Sequence, residues 1–259
     1  MGPDILHFAF CVVLLSGCAA RRLALPTDSG SPLSDFARIH SQVSAACVGV
    51  RTLTAQLSLS GEAHRQKLRG SVLAGFERPA SMRLEGVAPF GPPGFILVAQ
   101  NQTATLLLPR DERVVRGATA EEILGALTGV TMAPADVQAV LTGCVRPMPQ
   151  AMAGRLHANG WASLDLGGAT LYLERQGTAW QLRAARRGEW QIEYPTWQGG
   201  YPREVRLRSN PADVNLTAAI GQLETNVDLD PAAFTVNLPP GASALSLDEL
   251  REAGPLRGK

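Results

Sequence analysis

Over two long stretches of the chain, residues 52–116 and 158–228, apolar and polar side chains take turns with a period of two. Successive side chains of an extended strand point to opposite faces, so this pattern demands strands with one buried and one wetted face. Leu53, Ala55, Leu57 and Leu59 alternate with Thr52, Thr54, Gln56 and Ser58. After a turn at 61–65, Leu68, Gly70, Val72, Ala74 and Phe76 take up the same rhythm, and Met82 and Leu84 carry it through 80–87. Segments 95–99, 103–108 and 113–116 extend the series, which reads as an antiparallel meander. The second stretch reads as strands at 158–165, 170–175, 179–186, 189–195 and 203–208, with Gly167-Gly168 and Gln176-Gly177 as turns. In 214–228 the apolar set steps from Val214, Leu216, Ala218 and Ile220 to Leu223, Thr225 and Val227, a parity change that predicts a β-bulge near Gly221. Residues 234–238 read as one more short strand.

Helical periodicity is confined to short pieces. Phe36, Ile39, Val43, Ala46, Cys47 and Val50 recur at three and four residues behind Ser34 as N-cap, predicting an amphipathic helix. Thr119 followed by Glu122 forms a capping-box pattern for a helix to Leu127. A second helix starts near Ala133, carries Pro134 in its first turn and stops before Gly143. Ile123, Leu124, Leu127, Val137, Val140 and Leu141 give this pair apolar faces fit to plug the open side of a curved sheet, and 247–252 reads as a final helical turn.

One loop departs from the usual polar composition. Residues 87–95 hold three prolines, two glycines and Phe90, with no charge. Either it is a wide turn that tucks Phe90 and Phe95 into the core, or it is an exposed apolar tip that touches a membrane or another apolar surface.

The N-terminus ends an apolar run, 5–15, in Leu15-Ser16-Gly17-Cys18. The run is too short for the roughly 18 to 20 residues of a spanning helix and fits a signal-peptide core. The tetrapeptide resembles a bacterial lipobox. This resemblance implies cleavage after Gly17 and acylation of Cys18; a secretory signal with Cys18 there by chance is the other reading. Ala19 and Ala20 follow, without the Asp of an inner-membrane retention signal, which points to the outer membrane and its periplasmic face. Residues 1–17 are thus read as signal peptide and 18–33, rich in Pro, Ser, Thr and Gly, as a lipidated flexible tether. With Cys11 removed and Cys18 acylated, Cys47 and Cys144 remain in an oxidising compartment. A disulfide between them is one reading and two separately buried thiols the other.

A net charge of +1 gives no basic field for nucleic acid. His40, His64 and His157 read as solvent-facing, and there is no Gly-x-Ser-x-Gly elbow, no His-Glu-x-x-His and no Cys-x-x-Cys. Neither catalysis nor a metal or cofactor is expected. Apolar residues make up 45% but aromatics 5%, so the core is Leu, Val and Ala, a composition that lines a smooth cavity as readily as it fills a solid core.

The order lipobox, amphipathic helix, strands, Pro/Gly loop, helix pair, strands resembles the LolB family of the LolA/LolB lipoprotein-carrier superfamily. Three stretches carry the likeness: Met82 to Gly91, Ala120 to Gly143, and Trp190 to Leu207. The likeness spans residues 35–227. It implies a mainly β fold with some α: an open antiparallel β half-barrel, one domain over 34–254, with an N-terminal helix and a helical plug. It further implies a cavity for acyl chains of lipoproteins or lipids, here lined by Leu57, Leu59, Val72, Met82, Leu84 and Ile96. A LolA-like periplasmic carrier would be the partner, and Phe90, with Phe95, would form the loop that passes clients to the membrane. The competing reading is a non-catalytic structural or assembly lipoprotein that holds a protein partner, its interior filled by its own side chains.

Overall fold

The alternating stretches build one sheet. In the computed structural model, which describes residues 23–145 and 150–257, the chain opens with β1 (Ser31–Pro32) and α1 (Phe36–Val48). A meander follows: β2 (Thr52–Ala63), β3 (Gln66–Glu77), β4 (Ser81–Val87), β5 (Ile96–Gln100), β6 (Thr103–Leu108) and β7 (Arg113–Ala118). Helices α2 (Ala120–Thr128) and α3 (Pro134–Leu141) separate it from β8 (Ala153–Leu156), β9 (Ala162–Asp165), β10 (Ala169–Gln176), β11 (Ala179–Arg187) and β12 (Trp190–Glu193). A small hairpin, β13 (Trp197–Gln198) and β14 (Tyr201–Pro202), precedes β15 (Glu204–Ser209) and β16 (Val214–Thr225). A 3-10 turn (Pro231–Phe234), β17 (Ser243–Ala244) and α4 (Leu247–Ala253) complete the described chain.

Fifteen of these strands join in the order β1-β8-β9-β10-β11-β12-β15-β16-β2-β3-β4-β5-β6-β7-β17. The two sequence stretches meet where β16 pairs with β2, and the sheet stays open, with β1 at one end and β17 at the other. Every pairing is antiparallel except β17 on β7, which is parallel. The inner face reads straight across the strands: Ala218 opposite Leu59, Leu57 opposite Val72, Ala74 opposite Leu84, and Leu84 opposite Leu97. One apolar cluster runs along that face from Leu164 in β9 to Val115 in β7 and takes in α2, α3 and α4. The bulge falls where the parity change put it, since the β16–β2 register skips between Ile220 and Leu223.

Helix α2 begins with the capping box, Thr119 accepting from the Glu122 N–H while the Glu122 carboxylate accepts from Thr119, and ends at left-handed Gly129. Helix α1 has Asp35, not Ser34, at its N-cap, and packs against β8 and β11.

Other segments differ from their sequence reading. Residues 153–156, ahead of the expected 158–165 strand, form β8, while His157 to Gly160 make the turn into β9 and shorten that strand. The tether is docked at its end, because Ser31–Pro32 pairs with β8. The domain also runs past 254: Leu256 is buried, and Arg257 bridges to Leu68. Residues 234–238 are no strand. Pro231 restricts the backbone, the Asp230 carboxylate caps Ala232, and the chain turns in a 3-10 coil that lays Phe234 on the outer side of β4 and β5.

Candidate functional site

Under the helix pair lies a chamber of about 120 Å³. Its floor is the inner sheet face, with Leu57 and Leu59 from β2, Val72 from β3, Leu84 from β4, and Val205, Leu207, Leu216 and Ala218 from β15 and β16. Its roof is Leu124 and Leu127 of α2 and Val137, Val140 and Leu141 of α3, and Leu256 closes one side. Of the eighteen lining residues only Thr128 is polar. Such a lining offers a water molecule almost no hydrogen-bonding partners.

Four of the six residues expected to line a cavity do so: Leu57, Leu59, Val72 and Leu84. Met82 shares their face but is fully buried in solid packing opposite Ala99. Ile96 is a correction: it pairs with Glu85 and so faces the other way, while Leu97 points inward. Phe95 is a second correction. Only 1% exposed, it is no part of a transfer loop. Its ring lies where a Cβ on Gly86 would sit, 2.5 Å from Cε1, and it lines the chamber. The sequence reading missed the C-terminal contributors. Leu216 and Ala218 were legible from the phase of β16, whereas nothing in the spacing of Leu256 pointed inward.

Phe90 is 87% exposed at the loop tip. The loop is held from behind by Arg110, whose guanidinium donates to the carbonyls of Phe90 and Pro92. An aromatic ring is thereby presented to solvent by backbone that prolines and a clamp keep in place.

Cys47 and Cys144 are joined in a disulfide with Cα atoms 5.8 Å apart. It fastens the C-terminal end of α3 to α1. At its other end α3 is tied loosely, through an ion pair of 3.4 Å between Asp136 and Arg187 on β11.

His157 is a further correction: it is buried, not solvent-facing. Its Nδ1 lies 3.1 Å from Asp28 Oδ1 and its Nε2 2.9 Å from Ser163 Oγ. With the proton on Nδ1 the ring donates to Asp28 and accepts from Ser163, the contact order of a hydrolase triad. The backbone argues otherwise: Ser163 sits in mid-strand between Arg155 and Tyr172, not on a turn whose free N–H groups could hold an oxyanion. The trio is a clasp that fastens the tether to the sheet. The His157 hydrogen bond, first among its causes, holds the Asp28 carboxyl below its usual range. A lowered carboxyl pKa adds stability that is present above the unfolded value, 3.8, and is lost as pH falls through the folded one. Amide exchange at Leu33, whose N–H donates to Gly154, should therefore quicken several-fold in His157→Ala at neutral pH. In the wild type it should quicken, after correction for intrinsic rates, only on acidification below about pH 4. Unchanged protection in the variant would show that the clasp holds nothing.

No group of His, Cys, Asp and Glu that could hold a metal is found among the described residues, and no helix among them is long and apolar enough to cross a membrane. Cys18 lies outside the described residues.

No protein-family model matches the chain, and no curated protein matches it in sequence. Similarity is found in solved structures. A DUF1329 family protein from Desulfovibrio piger aligns with a TM-score of 0.51 at 9% identity, covering 79% of this chain and 98% of its own. A LolA superfamily protein from Nitrosomonas europaea aligns with a TM-score of 0.51 at 9% identity, covering 80% and 98%. The likeness is to the superfamily's fold and not to LolB in particular. An open, mostly antiparallel sheet with few helices, not closed into a barrel, is the architecture this chain shares with the LolA superfamily.

Proposed function

We propose that this protein is a lipid-anchored carrier that takes acyl chains of lipids or lipoproteins into the chamber beneath α2 and α3 and passes them to a membrane. The anchor is acylated Cys18, and the site of action is the periplasmic face of the outer membrane, as for a LolB-like receptor served by a LolA-like carrier. The observation that supports this reading is the chamber's lining, apolar throughout but for Thr128. Burying a chain of about sixteen carbons there recovers on the order of 10 kcal/mol at about 0.8 kcal/mol per CH₂. As it stands, about 120 Å³ is below the roughly 300–1,000 Å³ of ligand pockets, so loading requires the helix pair to move outward. That small volume also favours a second reading, a structural lipoprotein whose interior is simply its core.

Loading and delivery separate the two. Gently purified protein should carry lipid near one-to-one in native mass spectrometry and take up a fluorescent fatty acid. Phe90→Glu should load normally yet deliver to vesicles roughly tenfold or more slowly, since a Phe side chain entering an apolar phase is worth about 1.5–3 kcal/mol. Ligand-free protein that refuses the fatty acid would leave the structural reading standing.

A further inference from the structure

Beyond α3 from the chamber lies a groove of about 330 Å³, between that helix and the turn joining β11 to β12. Met132, just before α3, and Val140 on it line both spaces, so the two are neighbours across this segment. The two differ in chemistry. The groove's floor is apolar, with Ile192 and Trp190, but its rim carries Arg187, Asp136, Glu189 and the Thr131 hydroxyl.

We propose that this groove is the head-group subsite of the carrier, and that it takes an amphiphile whose head bears an anionic phosphate beside a primary ammonium. The inference rests on the acyl-chain reading of the chamber and adds to it the class of head. A neutral head leaves three rim charges unused. A purely anionic head satisfies Arg187 but faces Asp136 and Glu189, and a purely cationic one strands the guanidinium. The phosphate–ammonium pair meets all three, the phosphate on Arg187 and the ammonium on the two carboxylates.

The existing contact favours exchange. Arg187 and Asp136 stand 3.4 Å apart and are partly exposed, longer than the roughly 2.7–2.9 Å of a charge-assisted hydrogen bond. A phosphate can therefore displace Asp136 without breaking a strong bond. The N-terminal end of α3, whose N-cap Ala133 gives no side-chain hydrogen bond, borders the groove, while the disulfide keeps the C-terminal end on α1.

The test uses three single-chain probes of equal acyl length, below their micelle concentrations: lysophosphatidylethanolamine, lysophosphatidic acid and monoacylglycerol. In the wild type the first should bind about tenfold more tightly than the third, the factor one charge-assisted contact supplies, and more tightly than the second. Arg187→Gln should erase the advantage of the zwitterionic probe over monoacylglycerol. Asp136→Asn, and in part Glu189→Gln on its exposed turn, should erase the advantage over lysophosphatidic acid. Equal binding of the zwitterionic and neutral probes by the wild type, or a preference that survives Arg187→Gln, would overturn the subsite and leave the carrier standing. Failure to bind any of the three would overturn both.

Discussion

Leu141→Ala should weaken the fold and strengthen its hold on a ligand at once. Leu141 is buried in α3 and lines the chamber roof. Truncating a buried leucine costs about 2–5 kcal/mol, because transfer energy is lost and the space left is only partly refilled. In a solid core that is the whole effect. Here the removed atoms adjoin an existing void of about 120 Å³, so the variant's chamber moves toward the size an acyl chain needs, and less displacement of α3 is required to load it. We expect a urea midpoint lowered in proportion, with uptake of a fluorescent fatty acid that is faster and tighter than in the wild type. The same loss of stability without any gain in uptake would mark the void as a packing flaw and favour the structural reading.

Loss of the disulfide should have the largest effect on stability. Cys47 and Cys144 close a loop of 97 residues. In the chain-entropy model such a cross-link contributes on the order of 4 kcal/mol, which for a domain of this size corresponds to a fall in Tm of roughly 10 °C in the Cys47→Ala, Cys144→Ala double variant. Its position adds a second expectation. Both sulfurs are buried beside Ala139 of α3, so the reduced protein loses the pin at the helix's C-terminal end, and the chamber should exchange ligand faster in both directions. A double variant that melts with the wild type would show that α1 and α3 are held by packing alone.

Much of this architecture was legible because one face of most strands is wet. Where Thr54 and Gln56 flank Ala55, alternation names the inner face outright. It failed at 95–99, where Phe-Ile-Leu-Val-Ala is apolar on both sides. The reason lies about 135 residues downstream: Phe234 and its 3-10 turn cover the outer side of β5, so Val98 is buried as well and no polar residue marks the phase. Phase was lost there, and Ile96 was placed on the wrong face. The helix pair was read nearly to the residue, since its signals are local: a capping box at Thr119, Pro134 at a start, Gly143 past an end. The clasp was invisible for the opposite reason. Asp28 and His157 are 129 positions apart, and only the pairing of β1 with β8 brings them together. The chamber's faces could be read, but its volume could not, because periodicity reports which way side chains point and not how closely they meet.

An open sheet has two raw margins, each a row of unmet backbone donors and acceptors that invites another chain to pair. Here both margins are trimmed with two-residue strands. Ser31–Pro32 covers β8 with a residue that has no N–H to offer, and Ser243–Ala244 covers β7 in the parallel sense. Both trimmings come from the terminal segments, one of them continuous with the proposed lipid tether. Proteins held by lipid on a membrane are concentrated in two dimensions and oriented alike, conditions under which bare sheet margins would stack into filaments. In the proposed anchored state, the segment that tethers the chain thus also blunts the margin at its own end of the sheet.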